Sequence, residues 1–368
     1  MIEKIRNLLA QQINADTNND FVSDKSIKNI SVNAENNSLK SIDVEIELGY
    51  PAKSRIAQIR QQISDCIKAN AEFADYQINV TITCKIITHK VQAGLQPYQN
   101  IKNIIAVASG KGGVGKSTTA VNLALALQQE GANVGILDAD IYGPSQPLML
   151  GIADQKPHSE DGVNMMPLQS YGVKVMSIGF LVDSDTPRVW RGPMVSSALD
   201  QLLNQTAWGD LDFLIVDMPP GTGDAQLTLA QKVPVTGAVI VTTPQDIALI
   251  DAKKGLKMFE KVNIPILGIV ENMSYHICKH CGEKEFIFGS GGGESMSKDY
   301  GVDLLGKLPL NLQIRLTTDG GKPSVEADKD SEEANIYREI ARKIAVKISQ
   351  KSKDTSHLFG KIKVEDKK

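Results

Sequence analysis

The chain has 368 residues, a formal net charge of −3, 42% hydrophobic and 23% charged residues. That length predicts two domains, or one large one with an appendage, and the composition is that of a soluble globular protein. The small net charge gives no support for a global polyanion-binding role, and no apolar run approaches the roughly 20 residues that span a bilayer.

The opening Met1-Ile2-Glu3-Lys4-Ile5-Arg6 lacks a signal core. A cytoplasmic location is expected, where thiols stay reduced. The four cysteines are then buried residues, metal ligands or reactive thiols rather than a disulfide framework.

Residues 1–90 predict a small α+β domain. Ile42, Val44, Ile46 and Leu48 alternate as on a half-buried strand, and so do Ile78, Val80, Ile82, Cys84 and Ile86. Between them Ile56, Ile59, Ile63, Cys66 and Ile67 recur at helical spacing. Cys66 and Cys84 are therefore expected in the core. Residues 91–102, with Gly94, Pro97 and Asn100, read as a linker.

From residue 103 to 350 apolar strands alternate with helical stretches, predicting a doubly wound, mostly parallel α/β sheet. Strands are expected at 103–108, 133–138, 173–178, 212–217, 237–243, 265–271 and 303–308. A last helix at about 332–350 carries Ile336, Ile340, Ile344 and Ile348 on one stripe. The lysine-rich residues 351–368 are expected to form a disordered tail.

Gly110-Lys111-Gly112-Gly113-Val114-Gly115-Lys116-Ser117 fits the phosphate-binding pattern G-x-x-x-x-G-K-[ST]. It follows the strand at 103–108 and opens an Ala- and Leu-rich helix, so backbone N–H groups and the helix N-terminus face the phosphates. Lys116 is the residue to reach the β/γ oxygens and Ser117 the one to bind Mg²⁺; a plain glycine-rich turn is the alternative. Phe213-Leu214-Ile215-Val216-Asp217 is an apolar strand ending in a carboxylate placed to hold Mg²⁺, and Pro219 to Gly223 after it fit a switch loop.

Lys111, the extra lysine, resembles that of the deviant Walker A ATPases, the group of MinD, ParA and the nitrogenase iron protein. The resemblance implies a homodimer closing around two ATP molecules, with Lys111 reaching the partner's nucleotide; otherwise Lys111 is a solvated loop charge. It also implies ATP contacts across Gly110 to Thr118, Asp140 positioning the attacking water, and Asp138 as a further Mg²⁺ partner. For Asp138 and Asp140, capping of a helix or turn is the alternative. Asn272 resembles the adenine-reading asparagine of the group, and Pro309 the loop over the base.

Cys278-Lys279-His280-Cys281 lets two thiolates converge on one metal or cluster. Two leave a four-iron cluster half ligated, and a homodimer supplies four. Zinc held with His276 or His280, a redox pair, and a structural turn are the other possibilities. The run Gly289-Ser290-Gly291-Gly292-Gly293 reads as a flexible connection into a helix at 294–300 that leaves the cysteines mobile.

With Asp138 to Ser145, Trp190-Arg191-Gly192-Pro193, Asp217 to Asp224 and Glu271-Asn272-Met273-Ser274, residues 100–345 resemble the Mrp/ApbC iron–sulfur cluster carrier ATPases. Residues 1–90 match the small iron–sulfur-assembly-like domain of that family in size and element order, but lack its acidic-proline opening and its cysteine loop. The implied function is an ATP-hydrolysing homodimer that carries a labile [4Fe–4S] cluster, bridging the subunits, from a cluster-assembly scaffold to apo-proteins. No nucleic-acid or membrane partner is expected. The alternatives are a ParA/MinD-type positioning ATPase acting on membrane or DNA, and a zinc-stabilised nucleotide-binding scaffold.

Overall fold

Alternation of isoleucine and valine with polar residues builds the N-terminal sheet. Strands β1 (Ile27–Asn33), β2 (Ser41–Leu48) and β3 (Gln77–Cys84) lie in that order. β1 pairs antiparallel with β2, and β2 parallel with β3. Helix α2 (Ile56–Lys68) crosses between β2 and β3 and buries Ile59, Ile63 and Ile67, one stripe at i, i+4, i+8. Helix α1 (Ile2–Leu9) adds Ile5 and Leu9 to the same core. This computed structural model describes residues 1–33, 40–181 and 192–354.

Neither N-terminal cysteine is a core residue as expected. Cys66 is half-buried, its thiol directed at the Leu8 carbonyl, and Cys84 is exposed. Cys84 shares the parity of buried Val80 and Ile82 but ends the strand. Parity decides the face a side chain takes, not how far along the strand the helix covers it.

Continuous apolar runs build the second sheet, whose strands are covered on both faces. Its strands are β4 (Ile101–Ala108), β5 (Val134–Asp138), β6 (Leu168–Ser170), β7 (Val173–Ser177), β8 (Leu211–Asp217), β9 (Gly237–Thr242), β10 (Ile266–Ile277), β11 (Lys284–Glu285) and β12 (Leu304–Pro309). The order is β11-β10-β9-β4-β8-β5-β7-β6, with β12 also on β10. The short strands β6 and β11 pair antiparallel and the other pairings are parallel, giving the expected doubly wound sheet.

The chain winds to one side of β4 through β5 and β7 and to the other through β9 and β10. The crevice at the carboxyl end of β4 is thus a topological switch point, where such folds bind ligands. Helix α3 (Lys116–Gln129) follows and is buried from Thr119 to Leu127. Helix α11 (Glu332–Ser349) packs on α3 and β12, burying Ile340, Ile344 and Ile348 of its stripe.

Two boundaries differ from expectation. Gln92, in the predicted linker, is buried and donates to the carbonyls of Ala230 and Val233 at 2.9 and 2.7 Å, so the linker belongs to the packing. Residues 351–354 are not a loose tail: Lys90 N–H donates to Ser352 O and Asp354 N–H to Thr88 O, both at 3.1 Å. Residues 355–368 lie outside the described residues.

The small domain docks on the end of α3 that is remote from the phosphate loop, about 20 Å away at 1.5 Å per residue. The buried Glu130 carboxylate there accepts Ser54 N–H at 2.9 Å, Ser54 Oγ at 2.6 Å and Arg342 Nη1 at 2.6 Å. Asp16 stands 3.6 Å from the Arg342 guanidinium. Replacing Glu130 by alanine removes the acceptor of Ser54 and the nearest carboxylate of Arg342, and is expected to cost about 3 kcal/mol in urea unfolding. A loss under about 1 kcal/mol would show that the Glu130 carboxylate does not hold the domains together.

Lys351 donates to the Thr236 carbonyl, and burial lowers its pKa to about 8. Between about pH 8 and the ordinary lysine value near 10.4 the unfolded chain holds a proton that the folded chain releases, so this group makes stability rise with pH there. Lys351→Met is expected to remove that rise, read as melting temperature from pH 8 to 10.

Candidate functional site

Between β4 and α3 the chain must turn tightly beside two other segments, and glycine makes both approaches possible. A Cβ on Gly110 would lie 2.1 Å from the Asp251 carbonyl carbon. At Gly115, where φ is 85°, it would lie 2.1 Å from Asn272 Nδ2. Gly112 and Gly113 face open space, where a Cβ would meet no atom within 4 Å. Asn272 Nδ2 donates to Val114 O at 2.9 Å, so the asparagine expected to read adenine grips the phosphate loop itself.

Lys116 begins α3, and its ammonium lies among strand-end carboxylates. It donates to Asp217 Oδ1 and lies 3.6 Å from Asp140 Oδ2 and 3.1 Å from Ser117 Oγ. Asp217 and Asp138 end the adjacent strands β8 and β5 in register. Asp138 is fully buried and accepts from Gln146 N–H (3.0 Å), Asp140 N–H (3.2 Å) and Ser177 Oγ (3.1 Å).

Burial, and then the charge of Asp217, push the Asp138 pKa up to about 7. Burial also raises that of Asp140, against the pull of Lys116. The oxygens of Ser117, Asp138, Asp140 and Asp217 are of the type a hard cation such as Mg²⁺ takes, but Lys116 stands among them and the three carboxylates form no ready-made metal cage. The orphaned Oε1 of buried Gln146 adds an unpartnered acceptor beside them.

Gln146 is a site residue that sequence reasoning missed. Its Nε2 donates to Asp217 Oδ2 at 2.8 Å and to Ser117 O at 3.1 Å, tying two of the three Mg²⁺ candidates together. A lone glutamine opening a four-residue helix carries no periodicity or motif that would mark it. The predicted switch loop is hooked to the phosphate loop: Gly221 N–H donates to Ser109 O at 3.0 Å, and Ser109 Oγ to Lys111 O at 2.8 Å. Among the described residues the half-buried Lys111 ammonium has no ion-pair partner. Trp190 and Arg191 lie outside the described residues.

β10 does not stop at residue 271 but runs on to Ile277, where it pairs with β11. Cys278 and Cys281 form the tip of that hairpin, Cys278 half-buried and Cys281 exposed. Cys278 N–H donates to Glu283 O at 2.9 Å and Gly282 N–H to Cys278 O at 2.8 Å. The backbone N–H groups of Cys281 and His280, and then the Cys281 thiol, point at the Cys278 sulfur and lower its pKa, favouring the thiolate.

Zinc with a histidine is not assembled: His276 Nδ1 faces the Leu310 carbonyl at 3.0 Å. No group of three His, Cys, Asp or Glu suited to a metal occurs among the described residues. Gly292 and Gly293 are not loose linker but the buried start of helix α8 (Gly292–Tyr300). Pro309 is buried opposite Tyr275 and lines a cavity of about 570 Å³ with His276, Ile277, Lys279 and Leu310.

The sequence profile described as NUBPL iron-transfer P-loop NTPase matches residues 100–345, and one described as iron–sulfur cluster assembly protein matches residues 2–80. The chain belongs to the NUBPL iron-transfer P-loop NTPase family. It is 63% identical over 263 residues to the iron–sulfur cluster carrier protein of Pseudomonas fragi, covering 71% of this chain and 92% of that one. It is 54% identical over 311 residues to the iron–sulfur cluster carrier protein of Escherichia coli (strain K12), covering 84% and 83%. Among solved structures, an ADP complex of a nucleotide-binding protein from Archaeoglobus fulgidus matches with a TM-score of 0.55 and 39% identity, over 61% of this chain and 88% of that one.

Lys116 supplies the positive charge against which Asp140 and Asp217 are packed. Lys116→Ala is therefore expected to weaken Mg-ATP binding at least about 100-fold in calorimetry. It should also lower the melting temperature of the nucleotide-free chain. Unchanged melting would show that the carboxylates do not depend on the lysine.

Proposed function

We propose that the chain is an ATP-hydrolysing homodimer that carries a labile [4Fe–4S] cluster as cargo between Cys278 and Cys281 of two copies, takes it from an assembly scaffold and delivers it to apo-proteins. The observation that carries this is the hairpin tip. Each chain presents two thiols there, one activated, on the strand whose Asn272 holds the phosphate loop. Two copies supply the four thiolates of a four-iron cluster. A cluster held at an exposed tip, rather than in a core, is one that another protein can reach.

ATP phosphates enter the loop of Gly110 to Thr118 and draw Lys116 from Asp217 and Asp140. Ser117, Asp217 and Asp138 would hold Mg²⁺, which supplies charge neutralisation at the phosphates. Asp140, its pKa raised by burial and with Lys116 drawn away, orients the attacking water. Lys111 reaches the partner's nucleotide and closes the dimer. Asn272 and Pro309 flank the base.

On a membrane the positioning-ATPase alternative needs a free amphipathic helix, but Ile340, Ile344 and Ile348 of the 336–348 stripe are buried. On DNA it needs a basic surface, for which the net charge of −3 gives no support. No helix among the described residues is long and apolar enough to cross a membrane.

Anaerobic reconstitution tests the cargo. The wild-type chain is expected to take up about four irons and four sulfides per dimer, and Cys278→Ala fewer than about one in ten of that. Equal cluster content in the mutant would overturn the bridging site.

A further inference from the structure

Glu271 is a fully buried carboxylate that takes no part in the chemistry above. It sits in β10 opposite Thr242 of β9 and Lys307 of β12, immediately before Asn272. Its oxygens accept the Ser274 hydroxyl and, at 2.5 Å, the Gly293 N–H.

Helix α8 has no side-chain cap of its own; Gly291, with φ 76°, stands at its N-cap. Glu271 thus reaches across from the strand to cap the helix and to meet its N-terminal partial charge. Gly293 is required for that grip, because a Cβ there would lie 2.9 Å from Glu271 Oε2.

The segment closed by this contact, residues 272–292, is the excursion that carries the cysteine hairpin. Its first residue, Asn272, holds Val114 O of the phosphate loop. Its second, Met273, has φ 54°, and the β10–β12 register shifts between Glu271 and Tyr275. A non-glycine residue in the left-handed region beside a register shift is a strained point that two discrete arrangements can share. One end of the excursion therefore touches the nucleotide loop, its middle bears the thiols, and a single carboxylate clasps its base.

We propose that Glu271 is the positioning residue that turns a change in the phosphate loop into a change at Cys278 and Cys281, an assignment that rests on the ATP-coupled carrier reading above. With the base clasped, a displacement of Asn272 cannot relax by sliding the strand against α8. It is passed through Met273 into the hairpin. Without the clasp the displacement dissipates at the base of the excursion.

The test needs no cluster. In the reduced, metal-free full chain, alkylation of Cys278 and Cys281 is followed site by site by mass spectrometry, with and without a Mg²⁺ complex of a non-hydrolysable ATP analogue. Cys84 serves as internal reference. In the wild type the nucleotide is expected to change the rate about fivefold or more, the lower range of an allosteric coupling. Glu271→Ala, which leaves neither acceptor, is expected to bind the analogue within about threefold of wild type yet bring the rate ratio close to 1.

Ser274→Ala removes one partner of the clasp and leaves Glu271 in place; it is expected to give an intermediate ratio, and it decides the matter if Glu271→Ala does not fold. A wild-type ratio retained in the folded variants overturns the role of Glu271. No nucleotide effect in the wild type overturns the coupling, and this proposal with it. The cluster site itself stands or falls separately on the Cys278→Ala content.

Discussion

The Lys116 ammonium is what allows three strand-end carboxylates to be buried within reach of one another. Burial favours the protonated forms of Asp138 and Asp140, and the charge of Asp217 pushes both in the same direction. One cation at the N-terminus of α3 offsets that repulsion, and removing a partner from such a buried set costs about 3–5 kcal/mol. The rest of the site is arranged around this contact. Gln146 bridges Asp217 to Ser117, Gly221 hooks the switch loop to Ser109, and Asn272 holds Val114. Gln146 shares Asp217 with Lys116, so a change at the lysine is felt first at that bridge.

The parallel sheet makes the cluster possible. Neighbouring parallel strands end at the same level, so Asp217 and Asp138 meet because β8 and β5 run in register. The same geometry separates two functions along α3. Its N-terminus carries the phosphate loop, and its other end, at Glu130, carries the small domain. The cysteine-bearing hairpin tip and the N-terminal domain therefore lie towards opposite ends of the sheet in one chain. Cys66 is half-buried and Cys84 stands alone at a strand end, so this domain offers no paired thiols of its own.

Much of this is legible in the sequence. The strands at 101–108, 134–138, 211–217 and 237–242 coincide with their apolar runs to within two residues, because doubly covered strands write themselves as unbroken hydrophobic stretches. Lys116, Ser117 and Asp217 are recognisable as neighbours because a fixed local geometry underlies their motifs. What stays hidden depends on approach between distant segments. Gln146 carries no pattern, the burial of Gln92 depends on Ala230 and Val233, and Cys84 misses the core because a strand's length relative to its helix is not encoded in its alternation. Glu271 stands within a motif, but its partner Gly293 lies 22 positions away in a run that reads as flexible linker.

The extent of β10 connects the two halves of the chemistry. Had the strand ended at residue 271, as its apolar run implies, the cysteines would hang on a loop with no mechanical tie to the nucleotide. Instead the chain leaves Glu271, touches the phosphate loop at Asn272, bends at Met273 and resumes as a strand that pairs with β11 up to the first cysteine. A strand resists shear along its axis far better than a loop does, because displacement must break ladder hydrogen bonds together. The thiols are thus exposed and still joined by paired backbone to the phosphate loop. In the proposed carrier, exposure alone would make the cluster site leaky, and the anchored strand is what would make release subject to the nucleotide.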